Sequence, residues 1–280
     1  MSEASALSRP AVSRHAIERR RHDLKMRLLT VRRVERITPS MVRVTLTGDD
    51  LPGFVSASFD DHVKLFFAPS GHIRPALPRM GPNGPVYPDD APKPAARDYT
   101  PRRYDPATNE LDIDFALHEA GPATDWAAAA QPGHILGVGG PRGSFVIPDD
   151  FDWYLLIGDE TALPAIGRRL EELPATASAI VIAEVANAGE EQAWQSRAAA
   201  TVTWLHRGAD RPGSADRLDA AVGSLRLPAG DGYAWVAGES DVAKRLRRRL
   251  LDQHGLRKEW LRAAGYWKRG AVALHETHDD

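Results

Sequence analysis

Trp153-Tyr154-Leu155-Leu156-Ile157-Gly158-Asp159-Glu160-Thr161 divides this 280-residue chain into two kinds of sequence. Its first six residues are an apolar run closed by glycine, the pattern of a strand buried on both faces, and an acidic turn follows. Downstream, strands and helices alternate. Ala162 to Leu173 reads as a helix, Ala179-Ile180-Val181-Ile182-Ala183-Glu184-Val185 as a second strand and Thr201-Val202-Thr203-Trp204-Leu205 as a third. A helix over Asp216 to Leu225, a strand over Tyr233-Ala234-Trp235-Val236-Ala237-Gly238 and a strongly basic helix from Ser240 to His254 complete the pattern. Such alternation predicts a parallel sheet covered on both faces.

Ligands of these sheets bind beyond the carboxyl ends of the strands. Gly158, Asp159, Glu160, Thr161, Glu184 and Glu239 occupy those ends and are the candidate nucleotide contacts. No Gly-x-Gly-x-x-Gly occurs at the first turn, and two acids there are unfriendly to a diphosphate. Plain solvated acids at strand ends are the competing reading. Glu184 ends the second strand, where an acid commonly accepts from a ribose 2′-hydroxyl, a lean toward NADH over NADPH.

Upstream the grammar is different. Met41-Val42-Arg43-Val44-Thr45-Leu46 alternates apolar with polar side chains, and His62-Val63-Lys64-Leu65-Phe66-Phe67 is another strand, with Lys64 facing away from Val63 and Leu65. Prolines and glycines crowd the stretch from Pro69 to Pro94, which predicts a long irregular loop. Leu111 to His118 pairs back on the preceding strand across a turn at Asp105-Pro106-Ala107-Thr108-Asn109. Short strands separated by turns, across roughly residues 27 to 147, suggest an antiparallel barrel.

Within that half, Arg97-Asp98-Tyr99-Thr100-Pro101-Arg102-Arg103-Tyr104 carries chemistry. Side chains alternate along a strand, so Arg97 and Tyr99 share a face. Arg97 can pair bidentately with a phosphate, Tyr99 offers a flat ring, and Thr100 at the bend can turn its hydroxyl or backbone N–H to a ring edge. A bound flavin requires this set, although an ordinary half-buried strand with a surface arginine has the same letters. Gly121-Pro122-Ala123-Thr124-Asp125-Trp126 looks like a helix start whose free amides suit an anion such as a pyrophosphate, or a plain short helix packing Trp126.

Composition narrows the chemistry. The net charge of −2 gives no global bias toward nucleic acid, and the absence of cysteine excludes disulfides, thiolate zinc sites, thiol catalysis and ordinary iron–sulfur clusters. The basic run His15, Arg19, Arg20, Arg21, His22, Lys25 lacks interleaved aromatics, so residues 1–25 read as a flexible or helical solvated arm rather than a nucleic-acid contact. No signal peptide and no membrane-length apolar run is evident. The expected location is the cytoplasm and the expected state a monomer. The expected division is an arm at 1–25, an antiparallel β-barrel at 26–150 that binds the flavin, and an α/β parallel-sheet nucleotide-binding domain at 151–280 ending in a helix.

Together the segments resemble the siderophore-interacting proteins, flavin-dependent ferric-siderophore reductases of the ferredoxin-reductase-like superfamily. The resemblance runs from about Met26 to Gly270. Its carriers are His62-Val63-Lys64-Leu65, Arg97-Asp98-Tyr99-Thr100, His118 with Gly121 to Ala127, Gly140-Pro141-Arg142-Gly143-Ser144, Gly158 to Ala165, and Gly265-Tyr266-Trp267-Lys268-Arg269-Gly270. The acidic Gly158 turn, odd for a generic dinucleotide fold, is typical of that family.

The resemblance implies FAD held by Arg97, Tyr99 and Thr100, with His118, Gly121, Ala123 and Thr124 toward its pyrophosphate or adenine side. It implies Trp267 near the flavin or the cleft, and makes Lys64, Lys268 and Arg269 candidates for a basic site facing a ferric siderophore. NADH, NADPH or ferredoxin would supply electrons. No residue is assigned as a general acid or base, and no metal ligands are expected.

Overall fold

The computed structural model describes residues 14–82, 84–117, 121–270 and 276–277. The first half contains β1 (Glu18–Arg21), β2 (Met26–Thr38), β3 (Met41–Thr47), β4 (Val63–Phe67), β5 (Arg79–Gly81), β6 (Gly84–Val86), β7 (Ala95–Tyr99), β8 (Pro101–Asp105) and β9 (Glu110–Ala116). A short helix, α1 (Pro122–Ala128), then β10 (Ile135–Gly139) and β11 (Gly143–Val146) complete it. Alternation places Val63 and Leu65 inside and leaves Lys64 exposed between them. The proline-rich stretch expected to be irregular throughout holds the small β5–β6 hairpin. A two-stranded ribbon has free edges on both sides, so Pro85 forfeits no bond there by lacking an N–H.

Among the described residues seven strands form one antiparallel sheet in the order β7-β4-β10-β2-β3-β9-β8. Its two edge strands, β7 and β8, follow one another through Thr100 alone. The sheet therefore has to curl until its edges meet at that residue, which makes a barrel. Leu29, Val44, Leu65, Leu111, Ile113, Phe115, Leu136 and Val138 fill the interior.

The amino-terminal arm differs from the expectation of a flexible or helical segment over its described part. β1 pairs with β11, and His15 is buried, stacked 4.1 Å from the Phe151 ring with its ring nitrogens 2.8 Å from Asp150 and 3.2 Å from Asp231. His15 finds carboxylate partners remote in sequence and His22 bonds the Ser144 hydroxyl at 2.7 Å, contacts that no local pattern reveals, whereas Arg20 pairs locally with Glu18.

The second half contains β12 (Trp153–Gly158), α2 (Leu163–Glu172), β13 (Ser178–Val185), β14 (Ala199–His206), α3 (Asp216–Ser224), β15 (Gly232–Glu239), α4 (Ser240–Asp252), β16 (Leu261–Trp267) and β17 (Glu276–Thr277). The sheet order is β14-β13-β12-β15-β16-β17, parallel except for the last strand. The expected terminal helix is thus α4, and the chain goes on to another parallel strand. Ala263, Ala264 and Gly265 in β16 are too small to announce a strand by hydrophobicity, yet all are buried.

Side chains alternate along β12 between two cores. Tyr154 and Leu156 pack with Ile166 and Leu170 of α2 and with Met41 and Phe59 of the barrel half; Leu155 and Ile157 pack with Leu218, Val222, Leu246 and Leu250 of α3 and α4. One face of the parallel sheet is therefore shared with the barrel. Polar bonds close the same junction. Arg102 donates to both oxygens of Glu171 at 2.7 and 2.5 Å, and Arg168 donates to the Ser56 hydroxyl at 2.8 Å and the Pro101 carbonyl at 2.9 Å. Glu190 accepts from the Thr38 hydroxyl at 2.6 Å and the Ser40 amide at 3.0 Å. No helix among the described residues is long and apolar enough to cross a membrane.

Candidate cofactor and nucleotide site

β12 lies between β13 and β15, and the chain direction of crossover reverses there, so the crevice beyond Gly158 and Gly238 is the topological switch point of the sheet. Asp159 stands in it. One carboxylate oxygen accepts from the Thr161 amide at 2.9 Å and the Thr161 hydroxyl at 2.5 Å; the other accepts from the Glu239 amide at 3.1 Å and the Trp267 indole N–H at 2.8 Å. Gly238, at φ 149°, lets this carboxylate approach, because a Cβ there would stand 2.7 Å from its oxygen. Gly158 is equally cradled: its Cβ would lie 2.3 Å from that of Ala162.

Glu239 caps α4, accepting from the Asp241 and Val242 amides at 2.8 and 3.0 Å, while its other oxygen accepts from the Arg269 amide at 3.2 Å. Glu160 is ion-paired to Arg207. Glu184 is 2% exposed, and one of its oxygens has no hydrogen-bond partner. The reading of these acids as solvated strand ends is therefore corrected: all four are buried, and three are spent on internal donors.

Burial, reinforced by the charge of Asp159, pushes Glu184 up to about 7 against the pull of Arg207, and burial with Asp159 pushes Glu160 up to about 6. Near neutral pH the Glu184 carboxyl is accordingly partly protonated, and Arg207 offsets the charge of Glu160. Glu184, the residue behind the lean toward NADH, is buried in this structure.

On the barrel side, Arg97 is half-buried in β7, donates to the Ala96 carbonyl at 2.8 Å, and meets no carboxylate among the described residues. Its remaining donors suit a phosphate. The Tyr99 ring is tilted against Phe115 at 4.5 Å, and burial raises its phenol well above the ordinary tyrosine value. The Thr100 side chain lies against the buried Tyr266 phenol, and its backbone amide is the other donor it could offer a ring edge. Gly121 precedes α1 with no side-chain cap, so the early amides around Ala123 and Thr124 keep their donors. His118 lies outside the described residues.

The basic candidates are divided between domains. Lys64 is paired across strands with Asp98 at 2.6 Å; Lys268 is 4.0 Å from Asp241, and Arg269 donates to the Pro212 carbonyl at 2.9 Å. Trp267 sits with Asp159 at the switch point.

Sequence reasoning missed Asp60, which accepts from Tyr266 at 2.9 Å and from Arg262 at 2.5 Å, tying the barrel to β16. It also missed Asp61, whose carboxylate accepts from Ser144 at 2.7 Å and Ser56 at 2.8 Å. Asp60 carries no local signal, since Arg262 and Tyr266 are far off in sequence, and the Ser144 partner of Asp61 is equally remote. Ser144, inside a glycine-rich turn, was the detectable member.

Thr100, Tyr266 and Trp267 form a bridge. Thr100 closes the barrel and bonds Tyr266, and the next residue along β16 holds Asp159 in the nucleotide crevice. The barrel closure at Thr100 and the crevice at Asp159 are thus linked through two consecutive residues of β16.

Comparison with known proteins agrees with this arrangement. Residues 30–145 match the model of the siderophore-interacting FAD-binding domain, and residues 151–270 that of the siderophore-interacting protein. A protein of Escherichia coli named NADPH-dependent ferric-chelate reductase is 40% identical, over 89% of this chain and 96% of its own length. The ferric vibriobactin reductase ViuB of Vibrio cholerae is 34% identical over 89% of this chain and 93% of its own. A crystal structure of a siderophore utilization protein from T. fusca superimposes with a TM-score of 0.84 at 44% identity, covering 92% of this chain and 98% of that one. The chain belongs to the siderophore-interacting protein family.

Proposed function

We propose that this protein is an FAD-dependent reductase of ferric siderophores, taking electrons from a nicotinamide nucleotide. The carrying observation is the chain of contacts from Thr100 through Tyr266 to Trp267 and Asp159, which supports a flavin and a nicotinamide nucleotide meeting there. The names of the E. coli and V. cholerae relatives support the same reaction class. FAD, when bound, supplies the exchange between two-electron donors and one-electron acceptors that reduction of iron(III) requires. Oxygen chelators hold iron(III) far more tightly than iron(II), so reduction releases the metal.

The chain's own residues bind and orient. Arg97 holds a cofactor phosphate, Tyr99 presents its ring to the ribityl or isoalloxazine, and the Thr100 amide meets the ring edge. Gly121, Ala123 and Thr124, with His118, serve the pyrophosphate or adenine side, and Trp267 flanks the cleft. Gly158, Asp159, Glu160, Thr161, Glu184 and Glu239 shape the nucleotide crevice, with the buried acids acting as its frame. Lys64, Lys268 and Arg269 raise the local concentration of an anionic siderophore. No proton transfer is assigned to a side chain. Ferredoxin remains the alternative donor, and we place the reaction in the cytoplasm, carried out by a monomer.

The test is an anaerobic visible spectrum recorded before and after NADPH or NADH, then after a ferric siderophore with an iron(II) trap. Flavin bands that bleach with nucleotide and return as the trap colours are the expected result. A colourless protein that binds no flavin would refute the reading. Bands that no nucleotide bleaches, alongside tight siderophore binding, would instead favour a ferredoxin donor or a non-turnover iron-handling role.

A further inference from the structure

An open cleft of ≈ 610 Å³ lies at the carboxyl end of β14, lined by Asp210, Arg211, Ser214, Asp216, Arg217 and Ala220 with Arg269. It adjoins the switch point. Arg269 forms the common wall: its amide bonds Glu239 at the end of β15, and its guanidinium donates to Pro212 on the cleft rim. Gly213, at φ 79°, presses the rim onto the same wall, since a Cβ there would stand 2.9 Å from both Trp267 and Glu239.

Dinucleotides lie across the crevice at a switch point. The barrel contacts β16, through Asp60 to Arg262 and Tyr266, so the nicotinamide end belongs on that side. The adenosine end then points the other way, over β13 and β14, where the cleft opens. Its charges suit a phosphate. Arg211 is exposed and has neither an ion-pair partner nor a side-chain hydrogen bond among the described residues. Arg217 is paired at 2.6 Å with Asp210, but Asp210 is 61% exposed, and such surface pairs contribute under about 1 kcal/mol. A phosphate dianion, carrying twice the charge, would have only that weak solvated pair to displace. Asp216, which also lines the cleft, is 84% exposed, accepts from the Ser214 hydroxyl at 3.2 Å and lies 4.0 Å from Arg245.

We propose that Arg211 and Arg217 form the recognition site for the 2′-phosphate of NADPH and make this protein select NADPH over NADH. The inference rests on the nicotinamide-dependent reading above and assigns the residues that would read the donor.

Calorimetry on the flavin-loaded protein tests it with adenosine 2′,5′-bisphosphate, adenosine 5′-monophosphate and inorganic phosphate. The bisphosphate should bind at least roughly tenfold tighter than the monophosphate, and Arg211→Gln or Arg217→Gln should each weaken it by roughly tenfold, the loss of one charged hydrogen bond. Monophosphate affinity should move less than about twofold, within the tolerance of a surface change. Equal losses for both nucleotides, no loss, or inorganic phosphate binding as tightly as the bisphosphate would overturn the assignment. Binding is read without flavin reduction, so the two readings fail separately. Selective bisphosphate binding with no bleaching by NADPH would sink the donor reading alone, and bleaching by NADPH without arginine-dependent selectivity would sink this one alone.

Discussion

Glu184→Gln should flatten the dependence of stability on pH between about 4.5 and 7. In the folded chain burial holds this carboxyl up to about 7, whereas unfolding returns it to the ordinary 4.5. Inside that window the folded state keeps a proton that the unfolded state has released. Stability is therefore fully present below 4.5 and falls as pH rises toward 7. At about 1.4 kcal/mol per pH unit the whole span amounts to about 3 kcal/mol. Asp159 and Glu160 raise Glu184, so part of that fall belongs to the group of acids rather than to one residue. Glutamine cannot ionise. The variant should match the parent near pH 5 and exceed it above pH 7 by up to this amount. Urea unfolding of the flavin-loaded protein at several pH values measures the difference directly. Parallel curves for parent and variant across the window would show that Glu184 is ionised at no penalty, and the account of a buried, partly protonated crevice would be wrong.

Arg97→Ala should lower flavin affinity by roughly ten- to a hundredfold, the loss of one or two charge-assisted hydrogen bonds, read as visible absorbance per protein after gel filtration; full flavin occupancy would remove Arg97 from the phosphate site. Arg102→Ala breaks the bidentate contact to Glu171 across the domain junction and should destabilise by on the order of 2 kcal/mol, moderated because Glu171 keeps partial contact with water. An unchanged urea midpoint would show that the apolar junction alone holds the domains. Lys64→Gln with Lys268→Gln should raise KM for an anionic ferric siderophore several-fold at low salt, with the gap narrowing at high salt. A KM that does not move at either salt would take both lysines out of the substrate site.

Local patterns were enough for much of the architecture, because local physics determines them. The alternation of Val63, Lys64 and Leu65 dictates a strand with one wet face, and the apolar run from Trp153 to Ile157 dictates one with none. The switch from period-two strands to strand–helix alternation divided the barrel half from the α/β half, and family-specific turns such as Gly158 to Ala165 named the lineage. Arg97 and Tyr99 were legible for the same reason, since two residues apart on a strand means one shared face. The fate of the acids was not legible. Asp159, Glu160, Glu184 and Glu239 read as surface charge until the fold buried them and supplied Trp267, Arg207 and the first amides of α4 as partners. Likewise only the tertiary structure joins Thr100 to Tyr266, anchors His15 between Asp150 and Asp231, and gathers Arg211, Arg217 and Arg269 around one cleft. A short-range pattern records which way a side chain faces; what it faces is decided largely by segments that only the fold brings together, and burial then shifts the charge it carries.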